Sequence, residues 1–338
     1  MSLFCGLTGA LIALAAFAIA RGGERIGMAQ AALGVVESMT GMAGLSGLDK
    51  TDLTILWQLR LPRVLLAMVA GAGLALAGVA MQAILRNPLA SPFTIGVSPA
   101  AAFGASIAIL YGLDKSLGQF AVIGSAFVSA LVCAALVIGI ALVHGASSSS
   151  IILAGIAMSY LFGALTASVQ FLATDERLST IIHWTFGTLN RSVWSEVGFA
   201  LLVVCSVFPI LLRYAWGYNA LTFGGEEVAG SLGFRLRRMR LVSITAAVMA
   251  TATIVSFTGV IGFVGLVAPH LARLMIGADH RLLLPFSALT GALLLLVADT
   301  IGRLLFAPVV LPVGIVVAFV GVPVFLHLII AQRRQYFS

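Results

Sequence analysis

Residues 217–240, GYNALTFGGEEVAGSLGFRLRRMR, are the one substantial polar interruption in the second half of a chain that is otherwise apolar almost throughout. The runs on either side have the roughly 20-residue length needed to cross a bilayer core as helix. Within the interruption, Glu226 and Glu227 stand where carboxylates favour a helix N-terminus, and Gly233 stands where a glycine ends one as a left-handed C-cap. The spacing predicts a short helix with Val228, Ala229 and Leu232 along one face. Arg235, Arg237, Arg238 and Arg240 follow directly. The segment is too short for a domain and too patterned for a slack linker, so it reads as a helical knob held at a membrane surface for another protein to grip. A solvated loop carrying cytoplasmic arginines is the other reading of the same residues.

With 61% hydrophobic and 9% charged residues and a mean hydropathy of +1.12, the chain is far from the roughly 25% charged composition of soluble domains. It reads as a polytopic membrane protein. Its 36 glycines suit helices packed backbone to backbone, and nothing alternates at period two as outer-membrane strands do. The fold class is therefore all-α, a single transmembrane helical domain over residues 1–338. The formal charge of +7 sits mostly at the ends of apolar runs, where it sets topology, and gives no nucleic-acid footprint. Cys5, Cys133 and Cys205 lie singly inside apolar runs and have neither metal-ligand spacing nor a disulfide framework.

Outward from the knob, apolar runs fall at roughly 3–20, 62–85, 93–112, 117–143, 151–173, 195–216, 241–258, 260–276, 282–306 and 313–331, which predicts about ten spans. The division between the seventh and eighth is weak, because Gly259, Gly262 and Gly265 recur there at every third position and would admit a neighbouring backbone. Ala18-Ile-Ala20 resembles a signal-peptidase site, but nothing basic precedes the first run, so it is kept as a span. The dense arginines of 213–240, with Arg333 and Arg334 at the C-terminus, place the knob on the cytoplasmic side. Residues 21–59, with Glu24, Glu37, Asp49 and Asp52 beside Arg21, Arg25 and Lys50, form the longest polar stretch and fall on the opposite face.

Chemistry-bearing motifs are sparse. The phosphate-loop motif needs Gly-Lys, and Lys50 and Lys115 each follow aspartate. His144, His183, His270, His280 and His327 form no H-E-x-x-H, and no Gly-x-Ser-x-Gly appears, so the chain does not read as an enzyme. Ion-coupled carriers keep ionisable groups at mid-membrane, and Asp299 comes nearest to that. It stands four residues before Arg303, the spacing of a local ion pair. Residues 82–99 break the apolar pattern with Pro88, Pro92 and Pro99, as a re-entrant wall or an interfacial turn would. Ser147, Ser148, Ser149 and Ser150 are either a flexible linker or a narrow polar constriction.

Taken together, LRLPR at 59–63, RNPLASPFTIGV at 86–97, GFVGLVAPHLARL at 262–274, GADHR at 277–281, VADTIGR at 297–303 and LPVGI at 311–315 resemble the permease subunits of type II ABC importers, the iron-siderophore, haem and cobalamin uptake family. The likeness runs from about residue 59 to 331. It implies a dimer, with a second copy or a similar permease, of ten-helix subunits in the bacterial cytoplasmic membrane. Two cytoplasmic ATP-binding subunits would sit below it and a periplasmic substrate-binding protein above. No cofactor is implied, and the lipid bilayer is the remaining partner. Leu221, Gly225, Glu226, Glu227, Ala229, Leu232 and Gly233 map onto the family's ATPase-coupling helices, Ser147 to Ser150 onto its cytoplasmic gate, and Arg60, Arg63 and Arg303 onto arginines that receive binding-protein carboxylates. Pro99 departs from the family pattern, which puts the start of the third helix in question. The cargo implied is an iron chelate, a ferric siderophore first, haem second and cobalamin third. A stand-alone ion-coupled secondary transporter is the alternative.

A reporter fused after Gly225 should read cytoplasmic and one within residues 40–50 periplasmic. Both reading on one side would overturn the ten-span topology.

Overall fold

The computed structural model describes residues 2–21, 26–42, 44–143, 147–305 and 308–336, with side chains described except at Asp114 and beyond residue 326. Glu24, Arg25 and His144, and the side chains of His327, Arg333 and Arg334, lie outside the described residues. In chain order the helices are α1 (Ser2–Ala20), α2 (Met28–Thr40), α3 (Lys50–Ile55), α4 (Leu61–Leu85), α5 (Val97–Leu110), α6 (Leu113–Ser116), α7 (Gln119–Val143), α8 (Ser148–Leu172), α9 (Asp175–Thr185), α10 (Trp194–Arg213), α11 (Ala215–Ser231), α12 (Leu236–Thr258), α13 (Val264–Ile276), α14 (His280–Leu304) and α15 (Val313–Tyr336).

Each apolar run expected from the sequence contains a helix. Among the described residues, seven helices are long and apolar enough to cross a membrane: α1, the continuous helix Lys50–Leu85, α7, α8, α10, α12 and α14. Helices α5 and α13 have 14 and 13 residues, about 21 and 20 Å at 1.5 Å per residue. Each is shortened by a turn before it. Residues Pro92–Ile95 form a 3-10 turn closed by Gly96 in the left-handed region, and Gly259 and Phe263 both take positive φ before α13. Pro99 then falls in the first turn of α5, where a missing N–H does no harm.

The second run begins earlier than its prolines suggest. Helix runs unbroken from Lys50 because Leu56–Arg60 widens into a π turn, with the Leu61 N–H donating to the Leu56 carbonyl. One extra residue in that turn lets the ring of Pro62 enter without striking the preceding carbonyls.

Helix α4 is the axis of the bundle. It is buried along most of its length and packs against α14, α12, α13 and α10. Two of its glycines, seven residues apart and so on one face, make this possible. A methyl group on Gly71 would overlap the Gly291 carbonyl of α14, and one on Gly78 would overlap the Gly265 carbonyl of α13. Gly265 and Gly259 are thus close-contact glycines as the sequence suggests, whereas nothing stands within 4 Å of a Cβ on Gly262. Helix α1 joins through an edge-on contact of Phe4 with Phe286, ring centroids 5.0 Å apart.

Outside this core, α2 is pinned by Glu37, whose carboxylate accepts from the Ser46 hydroxyl (2.6 Å) and from the Gly44 and Ser46 amides (2.7 and 2.9 Å). The Ser46 hydroxyl and these amides hold the Glu37 carboxyl below the usual carboxylate range.

Replacing Gly78 by valine should cost at least the roughly 1–3 kcal/mol of ordinary overpacking, because the obstacle is backbone on a packed helix. The same change at Gly262 should cost far less. Thermal unfolding of the two purified variants in detergent checks this, and equal losses would refute it.

Candidate functional site

The polar stretch 217–240 is more helical than its sequence suggests. Helix α11 runs through it with a kink at Gly225 (φ 77°), so two segments meet at that residue. The second ends as expected: Gly233 takes φ 87°, and the Phe234 amide reaches back to the Ala229 carbonyl at 3.1 Å. The expected single face does not form. Ala229 is fully buried against its own chain with Leu221, while Val228 (44% exposed) and Leu232 (64%) point outward with Phe223 (73%). Leu221 and Ala229 therefore seat the knob, and Glu227, Val228 and Leu232 present it.

Polar side chains fix this seat. The Tyr218 hydroxyl lies 2.6 Å from that of Ser243 on α12. Asn219 donates from Nδ2 to the Asp279 carboxylate (2.8 Å) and accepts the His280 amide at Oδ1 (2.8 Å). Asp279 also caps α14 and pairs with Arg281, whose guanidinium stacks over Trp216 at 4.2 Å. Hydrogen bonds from Arg281 and Asn219 push the Asp279 carboxyl well below its ordinary range. The knob and the GADHR turn are thereby one platform. Asn219 was missed in the sequence because a lone Asn in a polar loop carries no periodic signal.

A second network ties the platform to the serine segment. Arg240, buried at the start of α12, donates from Nη2 to Glu226 (2.5 Å) and to the Ser148 hydroxyl (3.3 Å), and Ser148 donates to the Ile84 carbonyl at the end of α4 (3.4 Å). Ser147 caps α8, accepting the Ser150 amide at 3.1 Å with the two hydroxyls 2.8 Å apart, and Ser149 is exposed. These four residues are thus a helix start rather than a slack linker. Beside them, Arg86 ends α4 in the left-handed region, with its guanidinium 3.8 Å from where a Cβ on Gly225 would be.

Between α4 and α5 the chain turns with Arg86, Pro88, Leu89 and Phe93 exposed and its second half packed into the protein. Ala90, Ser91, Pro92 and Ile95 are buried, and α8 passes so close that a methyl on Gly155 would lie 2.6 Å from the Ile95 Cα. Buried irregular backbone of this kind is the form tolerated in membrane proteins.

At the other end of α4 the expectations change. Asp299 does not pair with Arg303 on its own helix. It receives Arg63 from α4 through Nε (3.0 and 3.1 Å) and Nη2 (2.7 Å), the fork geometry in which Arg binds a carboxylate best. Arg303 instead donates to the Ala18 carbonyl (2.6 Å), and Arg60 to those of Ile19 and Ala20 (3.1 and 3.2 Å). The three arginines do gather at one mouth, as the sequence suggests, but they face inward. They satisfy the open carbonyls at the end of α1 and clamp α4 to α14. Glu196, a third buried acid besides Asp299 and Glu37, sits in the first turn of α10.

The chain matches the FecCD transport family over residues 10–331. A cobalamin import system permease of Halobacterium salinarum is 41% identical over 84% of this chain and 75% of its own length. A hemin transport system permease of Yersinia pestis is 40% identical over 82% of this chain and 83% of its own. Among solved structures, an inward-facing conformation of a metal-chelate type ABC transporter aligns with a TM-score of 0.83 at 32% identity, covering 98% of this chain and 99% of that one.

If Arg240 links Glu226 to the α8 start, Glu226→Gln and Arg240→Gln should destabilise the protein less together than the sum of their separate losses. An interaction energy of about 0.5–3 kcal/mol is expected for contacting charges, toward the lower end because Glu226 is 45% exposed. Strict additivity in thermal unfolding would exclude the pairing.

Proposed function

The chain belongs to the FecCD transport family and is an ABC importer permease, a transport subunit rather than an enzyme, and from that premise we propose that it carries an iron chelate across the cytoplasmic membrane under the control of separate ATP-binding subunits. One observation carries the coupling assignment. The exposed apolar tip of α11 stands on a platform bonded, through Arg240, to the start of α8. A partner gripping Glu227, Val228 and Leu232 would thus hold a lever whose other arm is Ser147 to Ser150, the cytoplasmic gate of this reading. Leu221 and Ala229 seat the lever, Gly225 kinks it and Gly233 ends it, and Glu226 ties it to Arg240.

In this reading residues 1–338 act as one transmembrane domain with ten crossings, α5, α13 and α15 completing the seven long ones. Two such domains, identical or similar, enclose the path. Ferric siderophore is the first choice of cargo, ahead of haem and cobalamin. Relatives named for haem and for cobalamin stand at nearly equal identity, so likeness alone does not select among cargoes. The periplasmic binding protein docks on the outer mouth. Because Arg60, Arg63 and Arg303 are engaged internally, its first contact moves to the 21–59 region, where α2 exposes Leu33, Val36 and Met39.

In proteoliposomes, uptake of a ferric siderophore delivered by its binding protein should require the ATP-binding subunits and ATP and should survive collapse of ion gradients. Uptake driven by an imposed gradient alone would sink the proposal. Val228→Asp with Leu232→Asp should lower co-purification of the ATP-binding subunit by about tenfold or more, since one buried aliphatic anchor is worth about 1.5–3 kcal/mol. Ala229→Ser, inside the seat, should leave that affinity largely intact.

A further inference from the structure

Between α10 and α12 an open groove of about 440 Å³ runs along the outer surface, lined almost wholly by apolar atoms from residues such as Leu202, Ser206, Ile210, Val242, Thr245 and Met249. The residues that line it form one stripe on each helix. On α10 the stripe 202, 206, 210 continues at helical spacing to Arg213. On α12 the stripe 249, 245, 242 continues in the opposite chain direction to Arg238. The two helices pack together, and the short α11 connection returns the chain to the same end, so both arginines stand at one mouth of the groove. Both are exposed, and neither takes part in an ion pair among the described residues.

The dimensions select the occupant. From residue 241 to 249 the lined part of α12 rises about 12 Å, close to the roughly 15 Å of one leaflet. An anionic headgroup would supply the counter-charge that the two cations at the mouth lack among the described residues. We propose that this groove is a binding site for an anionic phospholipid of the cytoplasmic leaflet, with one acyl chain along the groove and the phosphate at Arg213 and Arg238. The site lies at the root of the coupling platform, since Arg213 and Arg238 flank the two ends of α11, but it needs only that the chain spans the membrane. It would stand if the cargo or the coupling assignment failed.

Native mass spectrometry of the full-length permease, delipidated in detergent and titrated with dioleoyl phosphatidylglycerol or dioleoyl phosphatidylcholine, tests this. The anionic lipid should be retained preferentially. Arg213→Gln with Arg238→Gln should weaken its retention about thirtyfold, taking each arginine's usual attraction for an anionic surface. Arg213→Lys with Arg238→Lys should keep most of it, and Arg191→Gln at the far end of α10 should change nothing. Thr245→Phe, which fills the groove with both arginines present, should also lower retention. Equal retention of the two lipids, or unchanged retention in either the glutamine pair or the Thr245→Phe variant, would overturn the proposal. Disulfide crosslinking of Thr245→Cys between two permease copies would overturn it too, by assigning the groove to a second copy of this chain.

Discussion

The contact on which the rest depends is the close passage of α4 across α14 and α13 at Gly71 and Gly78. In lipid there is no hydrophobic drive to bring helices together, so close van der Waals contact of backbones has to supply the attraction. At these two crossings a glycine of α4 lies directly against the backbone of its neighbour, with only the Ala75 methyl beside Gly291. Everything polar about α4 follows from that proximity. Arg63 reaches Asp299 because α14 is near enough for a fork-shaped pair, and Gln82 accepts from Arg273 of α13 at 3.0 Å for the same reason. The glycines set the distance, and the polar groups at either end fix the register.

The arginines divide by what surrounds them rather than by position in sequence. Arg60, Arg63 and Arg303 lie where α1, α4 and α14 converge, and their partners are helix-end carbonyls and one buried carboxylate. Leaving such a charge unpaired in a low-dielectric setting would be far more costly than leaving it in water, which accounts for their inward engagement. Arg213, Arg235, Arg237 and Arg238 are exposed. Arg240, only a turn further into α12, is buried and bonded to Glu226 and Ser148. That one turn separates a topology signal from a structural link.

The fold was legible from hydropathy because a membrane helix is written as one long apolar run, and those runs recur here as helices. Their lengths were not legible. Whether Pro62 starts a helix or sits inside one depends on a π turn that hydropathy does not register, and the short α5 and α13 depend on positive φ at Gly96, Gly259 and Phe263. The knob was legible as an isolated helix with a glycine stop. Which of its residues face outward was not, since the seat is built by Tyr218, Asn219 and Ser243, residues whose roles appear only when α12 and the 277–281 turn arrive beside them. The Asp299–Arg303 expectation failed in an instructive way. A spacing of four residues permits a local pair, yet Arg63 offers two parallel bonds where Arg303 has the α1 carbonyls to satisfy instead.

Bonding is unequal across the molecule, and this bears on how a permease of this kind could move. The far mouth is locked by charge-assisted bonds that join α1, α4 and α14. The platform end is joined to α8 by a longer contact, Arg240 to Ser148 at 3.3 Å, and α8 to the end of α4 by Ser148 and the Ile84 carbonyl at 3.4 Å, both near the outer limit for useful hydrogen bonds. Within the platform the bonds are short, Tyr218 to Ser243 at 2.6 Å and Asn219 to Asp279 at 2.8 Å. A force applied to α11 would therefore move α11, the start of α12 and the 277–281 turn as one body before it strained them. Ser148 is thus the residue through which the platform meets the start of α8 and α8 meets the end of α4, both by long hydrogen bonds.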